Sequence, residues 1–169
     1  VCSWPLNATV PEFLRQMHLS YSVVEIPWDT YVIVDTSDKN FLELSLPLDR
    51  VIAVFDHHFW FEEFWRERLW ENSKIEPIGA AATLIWEEWK NRSQEKEISR
   101  ESAILLAHAI LSNTVNFQLS LTTERDRQAL QELEWLLHLE SWWKGSYFEA
   151  QQQYIEKNPA LAIKEDMKN

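Results

Sequence analysis

The stretch "VIAVFDHHFWF", residues 51–61, decides how the chain is read. Five apolar residues, Val51 to Phe55, end abruptly in Asp56, His57 and His58. A Val/Ile-rich run of this length that does not alternate with polar residues fits a strand covered on both faces, the pattern of a parallel sheet. A second run, "YVIVDTSD" at residues 31–38, breaks from apolar to acidic at Asp35, and a third, "YSVVEI" at residues 21–26, stops before Pro27. The strands of a parallel sheet share one carboxyl edge, and ligands bind in the crevice outside it. Asp35 and Asp56 are therefore expected to converge there, with His57 and His58 beside them.

The second half of the chain is helical in period. "GAAATLIWEEWKNR" opens at Gly79 and sets Leu84, Ile85 and Trp89 on one face. "SRESAILLAHAILSNT" is apolar nearly all round and reads as a buried helix. "TTERDRQALQELEWLLHLES" starts with a capping-box pattern, Thr123 with Asp126 three residues on, and carries Leu130, Leu133 and Leu137 as a stripe. "SYFEAQQQYIEKN" is a last amphipathic helix ended by Pro159. Strands first and helices after predict an α/β layered domain, a mainly parallel sheet flanked by helices.

Composition narrows the function classes. The 169 residues are 46% hydrophobic, enough for one core, and the two glycines leave no flexible linker at which to divide the chain. A formal net charge of −11 repels a nucleic-acid backbone unless bound divalent cations reverse the local sign. Cys2 is the sole cysteine, so no intramolecular disulfide forms and a reducing, cytoplasmic setting is expected. The longest greasy segment, "AILLAHAIL", is interrupted by His108 and falls far short of the roughly 20 apolar residues of a membrane span. Val1 stands where a start Met would, so the chain is expected to begin inside a larger reading frame.

Carboxylate oxygens and imidazole nitrogens together suit a six-coordinate ion of the Mn²⁺ type better than tetrahedral structural zinc, which recruits thiolates. A lone Asp-His-His reads equally well as a solvated turn after a strand. The second acid-tipped strand favours metal.

"VIAVFDHH" carries the Asp-His-His signature of the DHH phosphoesterase superfamily, and neighbouring blocks resemble that superfamily in order and spacing. "YVIVDTSD" is similar to its strand ending in a metal-bridging Asp. "IEPIGAAATLIWEEW" resembles the Gly-led helix that follows, and "AILSNTVNFQLSLTTERDRQALQELE" its later block, where a buried helix runs on to a Thr-Thr-x-x-Asp helix start. The flavour is nearest the manganese-dependent, family II inorganic pyrophosphatase branch, and "ALAIKEDMKN" looks like the junction to that branch's second domain.

The resemblance implies a phosphohydrolase that cleaves a phosphoanhydride or phosphoester bond with a metal-activated water. It implies Mn²⁺ as the cofactor, with Mg²⁺ or Co²⁺ as alternatives, and a small phosphorylated substrate. Asp35 would bridge two metal ions, His57 would ligate one, and Asp56 would orient His57. His58 would face the substrate phosphate as the catalytic partner of Asp56. Gly79 would allow close approach of the bound anion. Residues 1–160 would form the DHH-type domain, N-terminally incomplete, and 161–169 the start of a linker to a C-terminal domain.

The chain also departs from the family's pattern. No Asp-x-Asp pair occurs before Asp35, so the family's first motif is expected upstream of Val1, and the metal-binding Asp of the later block is here Asn113, a potential ligand that supplies no charge. A degenerate module that binds metal or nucleotide without turnover, or an interaction module, is the alternative.

His108 reads as a core or pocket-edge histidine; His18, His138 and Cys2 have no patterned partners. In "FWFEEFWRERLW", residues 59–70, the aromatics Phe61, Phe64 and Trp65 fall at helical spacing and Glu62 pairs with Arg66 at i,i+4. Core packing is the favoured account of that segment. A lid over the site, or a homo-oligomer or missing-domain contact, is the other.

Overall fold

The computed structural model describes residues 10–17, 30–44 and 46–166. The strand expected at residues 21–26, His18, Cys2 and the last residues of the expected linker lie outside these. The chain divides into two compact units, residues 25–137 and residues 1–24 with 138–169.

The larger unit holds a three-stranded parallel sheet in the order β1 (Tyr31–Val34), β2 (Val51–Asp56), β3 (Ser73–Ile75). Both acid-tipped runs are strands, as their composition predicts. β3 has only three residues, all half-buried, and no sequence pattern announced it. Val54 and Phe55 point to opposite faces of β2, as successive strand residues must. Val54 joins a core of Ile33, Leu42, Leu48, Val51 and Trp65, whereas Phe55 packs with Ile78 and Leu84. Two-sided burial therefore holds for the carboxyl half of β2, the central strand, whereas Ile52 is exposed. It fails for β1, which lies at the edge of the sheet among the described residues and leaves Val32 and Val34 exposed.

Short helices α1 (Glu12–Arg15) and α2 (Lys39–Leu42) and the helix α3 (Glu62–Leu69) come before α4 (Ala81–Asn91), α5 (Arg100–Asn113) and α6 (Glu124–Leu137). On α4 the buried residues include Leu84 and Trp86, with Ile85 and Trp89 only half-covered. α5 begins at Ser99, whose hydroxyl caps the Ser102 amide. It buries Ala103, Ala107, His108, Ile110 and Leu111, while its remaining apolar side chains are only half-covered. α6 buries Leu130, Leu133 and Leu137 in the expected stripe.

The capping box at its start forms: the Thr123 amide and hydroxyl both donate to Asp126 Oδ2 at 2.8 Å. Asp126 does more than cap. It is fully buried and also accepts from the Gly79 amide at 3.0 Å and from the Thr83 hydroxyl at 2.7 Å. One carboxylate thus ties the first turn of α6 to the first turn of α4 and the glycine before it. Both helix N-termini present a partial positive charge to it.

α3 begins three residues later than the aromatic run and ends at Leu69, followed by a turn of 3₁₀ helix from Trp70 to Asn72. Arg66 pairs with Glu63 at 3.2 Å rather than with Glu62, which instead accepts from the Trp60 amide at 2.9 Å. With Glu62 folded back to cap the turn, the i,i+4 partner is no longer within reach. Trp65 is a core residue, and its indole donates to the Ser37 carbonyl at 2.8 Å. Trp60, at 91% exposed, belongs to no core.

The smaller unit contributes α1, α7 (Trp143–Lys157) and α8 (Pro159–Asp166). Pro159 ends α7 and opens α8, a position where its missing N–H costs no helical hydrogen bond. Arg15 lies over the Tyr154 ring at 5.6 Å.

Candidate metal centre

The sheet's register builds the site. Val34 pairs with Phe55, and the ladder continues one residue further, with the Asp35 amide donating to the Phe55 carbonyl at 2.9 Å. Asp35 therefore sits beside Asp56 on the carboxyl edge. Its φ of 62° is left-handed, a conformation that Asp adopts more readily than most side chains and that turns the chain sharply off the strand.

Asp35, His57 and His58 offer ligand atoms that all lie within 4.8 Å of one another. His57 Nε2 is 3.2 Å from Asp35 Oδ1, and its Nδ1 is 3.1 Å from the Ile78 carbonyl oxygen. A carbonyl oxygen only accepts, so Nδ1 carries the hydrogen. In the neutral ring Nε2 is then a bare lone pair facing a carboxylate lone pair. That contact is favourable only if a cation lies against both atoms or the ring is protonated. The hydrogen bond with Asp35 indeed holds the His57 imidazole above its ordinary value of 6.5, against burial that lowers it; the charge of Asp35, the Ile78 carbonyl and the charge of Asp56 also raise it. Adjacent ligands of an octahedral ion with bonds of about 2.1 Å lie about 3 Å apart, so the pair fits a divalent cation equally well.

Asp56 is fully buried. Its Oδ1 accepts from the His57 amide at 2.8 Å, the His58 amide at 3.2 Å and His58 Nδ1 at 2.8 Å. The ring it orients is that of His58; the orienting partner of the His57 ring is the Ile78 carbonyl. Asp56 Oδ2 is buried with no hydrogen-bond partner, an acceptor that suits a cation or a water bound to one. His58 is 62% exposed, and Asp56 fixes its hydrogen on Nδ1, which leaves Nε2 for solvent or substrate. The two imidazoles meet edge to face, 4.4 Å between centroids.

Gly79 is placed by packing. A Cβ there would meet Thr114 Cγ2 at 2.7 Å and Asp126 Oδ2 at 2.9 Å, and its amide is already committed to Asp126. Asn113 is half-buried at the last position of α5, next to that Thr114. After it, Val115, Asn116 and Phe117 are three successive left-handed residues, a strained reversal at the helix end. His108 is buried and hydrogen-bonds the Ile104 carbonyl at 2.7 Å, as a core histidine should. Sequence reasoning missed Ile78, Ser37 and the reach of Asp126. Ser37 hydrogen-bonds the His58 carbonyl at 3.3 Å and so links the β1 loop to the two imidazoles. Only the capping box at Asp126 carried any local signal.

A carboxylate and two fixed imidazoles on a parallel sheet edge give the chain a cluster that could hold a metal ion. Homologues of the chain include the manganese-dependent, family II inorganic pyrophosphatases, which belong to the DHH superfamily, and an A-adding tRNA nucleotidyltransferase. The chain is 36% identical over 129 residues to the A-adding tRNA nucleotidyltransferase of Aquifex aeolicus, covering 74% of this chain and 14% of that protein. It is 28% identical over 127 residues to a probable manganese-dependent inorganic pyrophosphatase of Bacillus licheniformis, covering 75% of this chain and 38% of the relative. A putative family II inorganic pyrophosphatase of Methanococcus jannaschii superposes with a TM-score of 0.53 at 25% identity, over 70% of this chain and 41% of that one. The chain thus spans less than half of each of these proteins. No protein-family model matches it. Among the described residues no helix is long and apolar enough to cross a membrane.

Proposed function

We propose that residues 1–160 act as a DHH-type phosphohydrolase domain, cleaving a phosphoanhydride or phosphoester bond of a small substrate with a metal-activated water. The observation that carries the reading is the Asp35, His57 and His58 cluster, with its ligand atoms within 4.8 Å of one another. Asp35 and His57 would hold a divalent cation, Mn²⁺ by likeness to the relatives' names. When bound, such an ion lowers the pKa of a water and neutralises phosphoryl charge.

The chain's own residues supply the rest. The Ile78 carbonyl keeps the His57 hydrogen on Nδ1 and so keeps Nε2 available as a ligand. Asp56 keeps the His58 hydrogen on Nδ1, which leaves Nε2 free to take the proton that the attacking water loses. His58, the more exposed of the two, is the residue to face the phosphate and to return that proton to the leaving group. Asn113 would add an amide oxygen without charge, which leaves Asp35 and the buried Asp56 as the carboxylates to oppose the charge of the cation, and weak binding is expected.

Calorimetric titration with Mn²⁺ tests the ligand set: weak binding is expected in the chain and none in His57→Ala. Unchanged affinity in that variant removes His57 from the set. Phosphate release from pyrophosphate, followed with Mn²⁺ and with a chelator, tests the activity. A low rate that vanishes with the chelator and in His58→Ala is expected. A rate indifferent to both refutes the reading.

A second reading, a module that binds metal or nucleotide without turnover, is favoured by Asn113 and by the match to a segment of a nucleotidyltransferase. Tight binding of Mn²⁺ with no phosphate release from any substrate is its signature.

A further inference from the structure

Trp60 stands two residues after His58 and is 91% exposed. Among the described residues it packs in no core cluster. Its φ of 110° lies in a region that bulky side chains seldom enter. The chain is nonetheless pinned on either side of it. Asp56 Oδ1 accepts from the His58 amide at 3.2 Å, and the Ser37 hydroxyl donates to the His58 carbonyl at 3.3 Å. The Trp60 amide donates to Glu62 Oε2 at 2.9 Å, where α3 opens. Backbone strain that the surroundings hold in place in this way gathers at ligand clamps. Asp35, with its φ of 62°, carries it at the tip of β1.

The place of this indole says what would cover it. A substrate enters the centre with its phosphate toward Asp35, His57 and His58, so whatever is linked to that phosphate is carried outward over the neighbouring surface. Two residues of extended chain reach at most about 7 Å, and a ribose separates phosphate from base by a comparable length. A nucleobase is flat and uncharged. Its face gains from the indole, and neither the net charge of −11 nor Glu62, already committed to the Trp60 amide, opposes it. A sugar ring offers edges and hydroxyls and gains less, and a second inorganic phosphate gains nothing from an indole face. A protein surface seated on Trp60 would cover the exposed His58 beside it and shut out substrate.

We propose that Trp60 sets substrate specificity: its indole stacks on the base of a nucleoside phosphate whose phosphate is held at the metal centre. This substrate class rests on the phosphohydrolase reading above. Glu62 and Ser37 fix the backbone of the platform before the ligand arrives, so little ordering is lost on binding.

The test is titration of the full chain, with Mg²⁺ present, by AMP and by ribose 5-phosphate, read from the indole N–H signal of Trp60 in a ¹H–¹⁵N spectrum. AMP is expected to shift that signal saturably and to bind about tenfold more tightly than ribose 5-phosphate, which has the same phosphate and sugar but no base. In Trp60→Ala, followed through the ring signals of His58, the gap between the two probes should close, and Trp60→Phe should keep most of it. Trp60 is largely exposed, so both variants remain folded. In His57→Ala both probes should lose their metal-dependent binding. Equal affinity for the two probes in the unaltered chain, or a preference for AMP that survives in Trp60→Ala, overturns the stacking role and leaves the metal reading standing. Binding of both probes that ignores Mg²⁺ and His57→Ala overturns that reading and the proposal with it, and so does binding of neither.

Discussion

Replacing Asp126 by Ala removes the acceptor for four donors at once: the Gly79 amide, the Thr83 hydroxyl, and the amide and hydroxyl of Thr123. The two hydroxyls can rotate to nearby carbonyl groups, and the half-buried Thr123 amide can reach water. The Gly79 amide is buried and has no substitute. A donor stranded in this way costs about 1–3 kcal/mol, and each lost hydrogen bond to a charged group costs about 1.5–3 kcal/mol before compensation. Allowing for the rotations, the loss should be about 3–5 kcal/mol. Asp126→Asn keeps one oxygen toward Gly79 and Thr123 but puts an NH₂ where Thr83 donated, so it loses charge assistance and that acceptor and should cost about 1–2 kcal/mol.

Urea unfolding followed by tryptophan fluorescence reads both. With a slope near 2 kcal/mol/M, Asp126→Ala should lower the midpoint by about 1.5–2.5 M and Asp126→Asn by about 0.5–1 M. Gly79 adjoins Ile78, whose carbonyl fixes the His57 ring, so the ring's signals should broaden in the Ala variant. A midpoint shift under about 0.5 M at unchanged slope, or equal losses in the two variants, refutes the claim that Asp126 is the tie between α4 and α6.

Gly79→Ala should cost about 1–3 kcal/mol, or about 2–4 °C in Tm per kcal/mol, because its Cβ meets Thr114 Cγ2 at 2.7 Å; Thr114→Ser in the same chain should recover part of the loss. Asp35→Asn should lower the pKa of His57 in the metal-free protein, seen by NMR titration of the ring. Because that pKa is raised on folding, the interaction stabilises the metal-free protein fully below about pH 6.5, and its contribution fades as pH rises through the folded value. His108 behaves in the opposite sense. Burial holds its pKa below 6.5, so the unfolded chain takes up the proton first and stability falls as pH drops beneath that value; His108→Gln should flatten the loss between about pH 7 and 5 in denaturant titrations. If Asn113 is a ligand, Asn113→Asp should raise Mn²⁺ affinity by adding charge, measured by calorimetry; a fall would mean that its neutrality is tuned.

The sequence by itself determined the elements whose signals are local. Val-rich runs ending in Asp35 and Asp56 fixed β1 and β2, and the rule that parallel strands share a carboxyl edge puts those acids and both imidazoles together. Apolar period and a capping box placed α4, α5 and α6 within a residue or two. Tertiary structure decided the partners. The Ile78 carbonyl that sets the His57 ring lies 21 residues away, and the Asp126 carboxylate that receives the Gly79 amide lies 47 residues away. Neither leaves a periodic trace, because a carbonyl or an amide is present at every position and only the packed chain selects which one arrives. β3 carries no local signal for the same reason: three half-buried residues cannot show a period, and Ser73–Ile75 is a strand because Asp56 and its neighbours offer it a ladder to join.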